Sequence, residues 1–279
     1  MARIGEKACL TVMREAPPGL YLDAGEDLGE VLLPNREVPK DTLIGSKLEV
    51  FLYRDSEDRP IATVKNPRAL PGQFAYLEVV ESTNVGNFLD WGLQKDLLLP
   101  FREQKDVCEV GRSYVVHIYI DENTDRIVAS RRLNKFFTPQ PPDYQPGEEV
   151  ELLLYGKTDL GYKAVINNES SGVLYADSVF RRLHAGERTV GYINKVRPDG
   201  KIDLSLYPPT QEQVKTLEDE ILAELSRRKG RWELCDSSPP DDIYRALGVS
   251  KKVFKRATGA LYKQRKILIH KDGIETINS

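Results

Sequence analysis

Eight basic side chains crowd one short stretch of this 279-residue chain: Lys251, Lys252, Lys255, Arg256, Lys263, Arg265, Lys266 and Lys271. No Asp or Glu falls between Ile243 and Lys271, although the whole sequence carries a formal net charge of -3. Residues 1–66 hold 9 basic and 12 acidic groups, 67–138 hold 9 and 10, 139–211 hold 8 and 10, and 212–279 hold 14 and 11. Cations gathered where the rest of the chain is acidic suit a polyanion, because Lys and Arg gain affinity by displacing counterions from phosphates. A solvated helix face is the other reading of such a run.

The residue types that carry catalysis are scattered. His117, His184 and His270 fall in three different regions, none beside a Ser or Cys in sequence, and neither a phosphate loop nor an HExxH pattern occurs. Cys9, Cys108 and Cys235 are odd in number and lack Cys-x-x-Cys spacing, which argues against a disulfide framework or a zinc site. The expectation is a non-enzyme with no metal and no cofactor. The N-terminus has no long apolar core, and no segment approaches the roughly 20 apolar residues of a membrane helix, so a cytoplasmic protein without a membrane partner is expected.

The elements that must position the basic stretch are four helix or hairpin signals. "PPTQEQVKTLEDEILAELSRRKG" opens on prolines, offers Thr210 with Gln213 as a capping box, and repeats apolar residues at Val214, Leu217, Ile221 and Leu225. "SSPPDDIYRALG" is a short helix with proline at its start and Gly248 at its end. Ser250 caps a third helix burying Val253, Ala257 and Leu261. "RKILIHKDGIETI" alternates around Asp272-Gly273 as a hairpin. Three helices followed by a hairpin make a winged helix-turn-helix over residues 210–279, with the basic stretch as its third helix and wing.

The remainder repeats three times. Glycine-led runs begin at Gly19, Gly86 and Gly161, a second glycine follows at Gly45, Gly111 and Gly186, and a basic residue opens another strand at Arg59, Arg126 and Lys201. Each copy reads as about five short strands, the pattern of a small closed barrel of the OB type, over residues 1–66, 67–138 and 139–209. The fold class is thus mainly β, three tandem five-stranded barrels, with a C-terminal α+β domain.

The order of glycine, aromatic, apolar pair, "G-x-x-V-x-V" and "R-I-x-x-S" resembles the S1 RNA-binding domain. The second copy matches in full with "VGNFLDWG", "DLLLPF", "VGRSYVVHIYID" and "RIVASRR". The first has Pro18 where that family often has an aromatic, the third has Lys163 in the slot of Tyr21 and Phe88, and the usual histidine is Pro34, Pro100 or Tyr175. The resemblance implies RNA lying across the second and third strands, with Tyr21, Phe88, Tyr162 or Lys163, and Tyr175 as surface candidates. Arg131 and Arg132 are expected to face solvent, and Arg181, Arg182, Lys195 and Arg197 give the third copy its own positive cluster.

Three S1-like domains and a winged helix in this order, with "LGVSKKVFKRATGALYKQRKI", are similar to the bacterial conserved virulence factor B family. That likeness implies a cytoplasmic regulator of gene expression, including virulence genes, that binds single-stranded RNA and has no catalytic activity. Two alternatives stand beside it: a protein adaptor on the ribosome or RNA polymerase, and a DNA-binding winged-helix regulator.

Overall fold

A computed structural model describes residues 2–139, 142–176, 179, 181–208 and 210–277. They form two compact units, Met1–Phe137 and Thr138–Ser279.

The first unit holds two closed barrels. Strands β1 (Lys7–Ala16), β2 (Gly19–Asp23), β3 (Glu30–Pro34), β4 (Lys47–Arg54) and β5 (Pro60–Thr63) close in the order β1-β2-β3-β5-β4. Strands β6 (Phe74–Ser82), β7 (Gly86–Asp90), β8 (Leu97–Pro100), β9 (Ser113–Asp121) and β10 (Arg126–Ser130) repeat that order as β6-β7-β8-β10-β9. Alternation builds each core: in β6, Leu77 and Val79 are buried while Tyr76, Glu78 and Val80 are exposed. The pairs β3–β5 and β8–β10 are parallel, which lets five short strands close without a free edge.

The repeated glycines have a backbone cause. Gly19, Gly86 and Gly161 stand at φ of +155°, +153° and +150°, and a Cβ on them would lie 2.0, 2.4 and 2.0 Å from the carbonyl oxygens of Leu33, Leu99 and Leu174. Only glycine lets the second strand start against the third so closely. The second glycine serves a bulge in the first strand, where the register slips between Val12 and Arg14, Val79 and Glu81, and Leu154 and Gly156. There Gly45, Gly111 and Gly186 donate to the carbonyls of Val12, Val79 and Leu154 at 2.8, 2.8 and 2.7 Å.

Pro34 and Pro100 each lead into a one-turn 3-10 helix whose last residue, Glu37 or Glu103, is buried. Glu37 accepts from the Thr63 hydroxyl, and Glu103 from Ser130 at 2.5 Å and Lys135 at 2.7 Å, which ties the third strand to the end of the last.

The two barrels are joined side by side. Phe51 and Tyr53 of β4 pack into the second barrel's apolar cluster, Phe51 edge-on to Trp91 at 5.9 Å, and Ile127 packs against the first. Around this seam Arg54 pairs with Asp125 at 2.7 Å, Arg126 with Asp58, and Lys95 donates to the carbonyls of Arg54 and Asp55 at 3.1 and 2.5 Å.

In the second unit, β11 (Glu149–Thr158), β12 (Gly161–Ile166), β13 (Ser170–Tyr175), β14 (Arg188–Val196) and β15 (Ile202–Ser205) close as β11-β12-β13-β15-β14. The winged helix follows with α1 (Thr210–Arg227), β16 (Arg231–Trp232), α2 (Pro240–Leu247), α3 (Lys251–Lys263), β17 (Ile267–His270) and β18 (Gly273–Thr276). Its core joins Leu217, Ile221 and Leu225 of α1 to Ile243, Phe254, Leu261, Ile267 and Ile274. The side chains of Thr210 and Gln213, paired above as a capping box, lie outside the described residues.

Two local expectations shift. The sheet has a third strand, the two-residue β16, in the order β16-β18-β17. The hairpin tip is Lys271-Asp272, one residue earlier than expected, since His270 pairs with Gly273. Gly273 is required by packing rather than by a turn conformation, because a Cβ there would sit 2.4 Å from the Trp232 carbonyl of β16.

Candidate nucleic-acid interface

Helix α3 is set by its ends. Ser250 accepts from the Val253 amide at 3.3 Å, and the preceding α2 stops at Gly248 in the left-handed conformation, φ +66°. Its inner face differs from the expected Val253, Ala257 and Leu261: Phe254, Ala257, Thr258 and Leu261 are buried, whereas Val253 is half-buried at the margin. Thr258 joins the core because its hydroxyl donates back to the Phe254 carbonyl at 3.0 Å, satisfying its one polar group within the helix.

The outer face is cationic. Lys252, Lys255, Arg256 and Lys263 are exposed along α3, with Arg265 and Lys266 just beyond it, and none has an ion pair among the described residues. Lys251 is half-buried and donates to the Ser238 carbonyl at 2.9 Å. Lys271 is exposed at the wing tip, and the one carboxylate there, Asp272, is neutralised by Arg231 at 2.6 Å. The helix also shows Tyr262, 55% exposed, beside Lys263. Sequence reasoning missed this aromatic because it lies off the buried stripe and breaks no pattern.

In each barrel the strand registers place three residues in a row across the outer face of the second, third and fifth strands. The rows are Tyr21, Leu32 and Ile61, then Phe88, Leu98 and Val128, then Lys163, Val173 and Asp203. Lys163 therefore occupies the position of Tyr21 and Phe88. Tyr162, one residue earlier, packs against the third barrel's apolar core. Tyr21 lies under the Arg14 guanidinium, 3.7 Å from its ring centre, and Arg14 is itself paired with Glu30 at 2.6 Å.

Tyr175 ends β13, where Arg197 donates to its hydroxyl and pairs with Asp203 at 2.9 Å. Arg182 and Lys195 are exposed, and Arg181 pairs with Glu187 at 2.5 Å. Arg131 departs from expectation. Its side chain is only 17% exposed, donating to the Asp106 carbonyl at 3.0 Å and lying over the Tyr114 ring at 4.4 Å, so it braces a loop instead of facing solvent. Arg132 is exposed, with its Nε on the Arg102 carbonyl at 2.7 Å.

The third barrel and the winged helix meet at a cleft of about 260 Å³ lined by Arg181, Arg182, Ser250 and Lys251, with Asp241 the acidic member. Three cations and a hydroxyl thus converge where α3 begins. Among the described residues no His, Cys, Asp and Glu side chains gather as a metal site, and no helix is long and apolar enough to cross a membrane.

The S1 domain model matches residues 4–65 and 71–131, the first two barrels, and the CvfB-like winged helix domain model matches residues 219–275. The chain thus carries two S1 domains and a CvfB-like winged helix domain, and it is similar along most of its length to proteins named conserved virulence factor B. Conserved virulence factor B of Staphylococcus epidermidis is 26% identical over 89% of this chain and 87% of its own length. The YitL protein of Bacillus subtilis is 29% identical, covering 95% and 91%. A crystal structure of a multidomain protein with nucleic acid binding domains from Streptococcus pneumoniae covers 98% of both chains at 21% identity and a TM-score of 0.44. The matched S1 and winged-helix domains are nucleic-acid-binding types, so this virulence factor B relative is built from binding modules rather than from a known enzyme fold.

Proposed function

We propose that this chain is a non-catalytic regulator of bacterial gene expression that binds single-stranded RNA, with α3 and the third barrel as its principal surface. The observation that carries this reading is the outer face of α3: Lys252, Lys255, Arg256 and Lys263 stand exposed and without ion pairs among the described residues. Cations with no carboxylate to satisfy are open to phosphates, and the exposed Tyr262 adds a ring on which a base can stack. The cleft holding Arg181, Arg182 and Lys251 continues that surface onto the third barrel. The name of the Staphylococcus relatives supports a virulence role within the same reading.

Replacing Lys252, Lys255 and Arg256 together by Glu tests it. Because the three are exposed and lie off the Phe254–Leu261 stripe, the thermal midpoint should stay close to that of the parent. RNA affinity should collapse, and each phosphate that is no longer neutralised should lower the log–log salt slope by about one. Unchanged RNA affinity in a variant that melts like the parent refutes the reading. Retained RNA affinity with loss of a ribosome or polymerase partner would favour the adaptor, and a preference for duplex DNA would favour the DNA-binding regulator.

A further inference from the structure

The seam between the first two barrels encloses a pocket of about 340 Å³ over the outer face of the second barrel. Its floor is the row Phe88, Leu98 and Val128, and its walls are Tyr53 of β4 and Trp91 just after β7. Ligand pockets run from about 300 to 1,000 Å³, so this one accommodates a single nucleoside and not the breadth of an extended strand. The first barrel's β4–β5 turn, which supplies Ser56 and Asp58 to the rim, narrows a face that would otherwise be open.

The polar groups around the pocket divide into committed and uncommitted ones. Arg54 is bound to Asp125 and to the Asp58 carbonyl, Arg126 to Asp58, and Lys95 to two backbone carbonyls. These cations hold the barrels together, which leaves none to meet a phosphate inside. Asp96 differs. It lines the pocket half-buried and has no hydrogen bond or ion pair among the described residues. Burial, followed by the nearby charges of Asp90 and Glu81, raises its pKa, so the carboxylate gains from any N–H donor that reaches it. An aromatic floor beside one acceptor-only carboxylate fits a flat heterocycle with adjacent N–H donors. Among the RNA bases, guanine offers that pair, N1–H and the N2 amino group, with the spacing of two carboxylate oxygens.

We propose that this pocket is a guanine site, in which Phe88 stacks on the base and Asp96 accepts from N1–H and the N2 amino group. The site takes the base either from a free guanine nucleotide or from an unpaired guanine in an RNA strand. It rests on nucleic-acid chemistry as the ligand but not on α3, so the two surfaces succeed or fail separately.

Titration of the full chain with GMP and AMP, read by calorimetry and by Trp fluorescence, tests the base. GMP should bind more tightly. Phe88→Ala should weaken GMP roughly 5- to 150-fold, the range for losing one stacked base. Asp96→Asn, a surface-compatible change that leaves the floor intact, should bring GMP and AMP to equal affinity. The triple Glu variant of α3 should bind GMP like the parent. A uridine-rich decamer with one guanine, against the same decamer with adenine, separates the sources. A strand ligand predicts at least tenfold tighter binding of the guanine decamer than of GMP with mutual competition, and a free-nucleotide ligand predicts the reverse order. If GMP binds no better than AMP, or if Asp96→Asn keeps the preference, the guanine site is overturned whatever α3 does.

Discussion

Gly259 lies in the middle of α3, and substitution there by Ala separates stability from binding. A Cβ on Gly259 would have no heavy atom within 4 Å, so nothing inside the protein requires glycine. Its neighbours one turn away on the helix surface are Lys255, Arg256, Tyr262 and Lys263, the cations and the exposed ring of the proposed interface. Glycine in a helix interior costs about 0.8–1.0 kcal/mol relative to Ala, and a gap free of neighbours adds no clash to set against that gain. Gly259→Ala should therefore raise the melting midpoint of the winged-helix region by about 4–8 °C, the shift that 1 kcal/mol gives a domain of 60–100 residues. If the bare backbone is where a nucleotide comes close, the same methyl group should hold it off and weaken RNA binding by roughly tenfold, about 1.4 kcal/mol. Scanning calorimetry and fluorescence anisotropy with a labelled single strand read the two effects. A variant that is stabilised and binds RNA as before would refute close approach at Gly259, and one that is destabilised would refute the inference that the space is open.

Two further outcomes follow from the barrels. His117 is 7% exposed, stacked on Phe136 at 3.9 Å and edge-on to Phe74 at 4.6 Å, and burial, with the Lys135 charge adding to it against a Gly72 backbone hydrogen bond, pushes its pKa down to about 4 from 6.5. The unfolded chain then binds the proton first, so stability is whole above about pH 6.5 and should fall, by on the order of 2–3 kcal/mol, as pH drops towards 4; His117→Gln should flatten that dependence in urea titrations, and an unchanged slope would show that another group is responsible. Gly86→Ala should destabilise the second barrel by more than about 1 kcal/mol, because its Cβ would meet the Leu99 carbonyl oxygen at 2.4 Å; an unchanged denaturation midpoint would contradict the close approach of β7 and β8.

What could be read in advance was whatever the backbone itself demands. The three barrels announced themselves through Gly19, Gly86 and Gly161 and through Gly45, Gly111 and Gly186, since a strand start without room for a Cβ and a turn at positive φ that donates to the bulged first strand each favour glycine at a fixed spacing. Ser250 and Gly248 marked helix ends for the same reason. The basic composition of α3 was legible as charge, but its phase was off, because Val253 and Phe254 are both apolar and only packing against α1 and β17 makes Phe254 the buried one. Arg131 reads as any surface arginine until Asp106 and Tyr114 are seen to surround it. The pocket over Phe88 was invisible, since it needs β4 of one barrel laid on another, and pairs such as Arg54 with Asp125, 71 residues apart, leave no periodic trace.

The shared seam sets an order on synthesis. A chain emerging from its N-terminus completes β5 at Thr63 and can close the first barrel at once, yet Phe51 and Tyr53 remain uncovered until Trp91 and the strands around it have formed. During that interval the nascent protein presents an aromatic patch to its surroundings, and pausing between the two barrels lengthens the exposure. Translation speed across residues 64–130 should thus govern how much of the protein escapes aggregation, with the first barrel's outward-facing aromatics as the point of vulnerability.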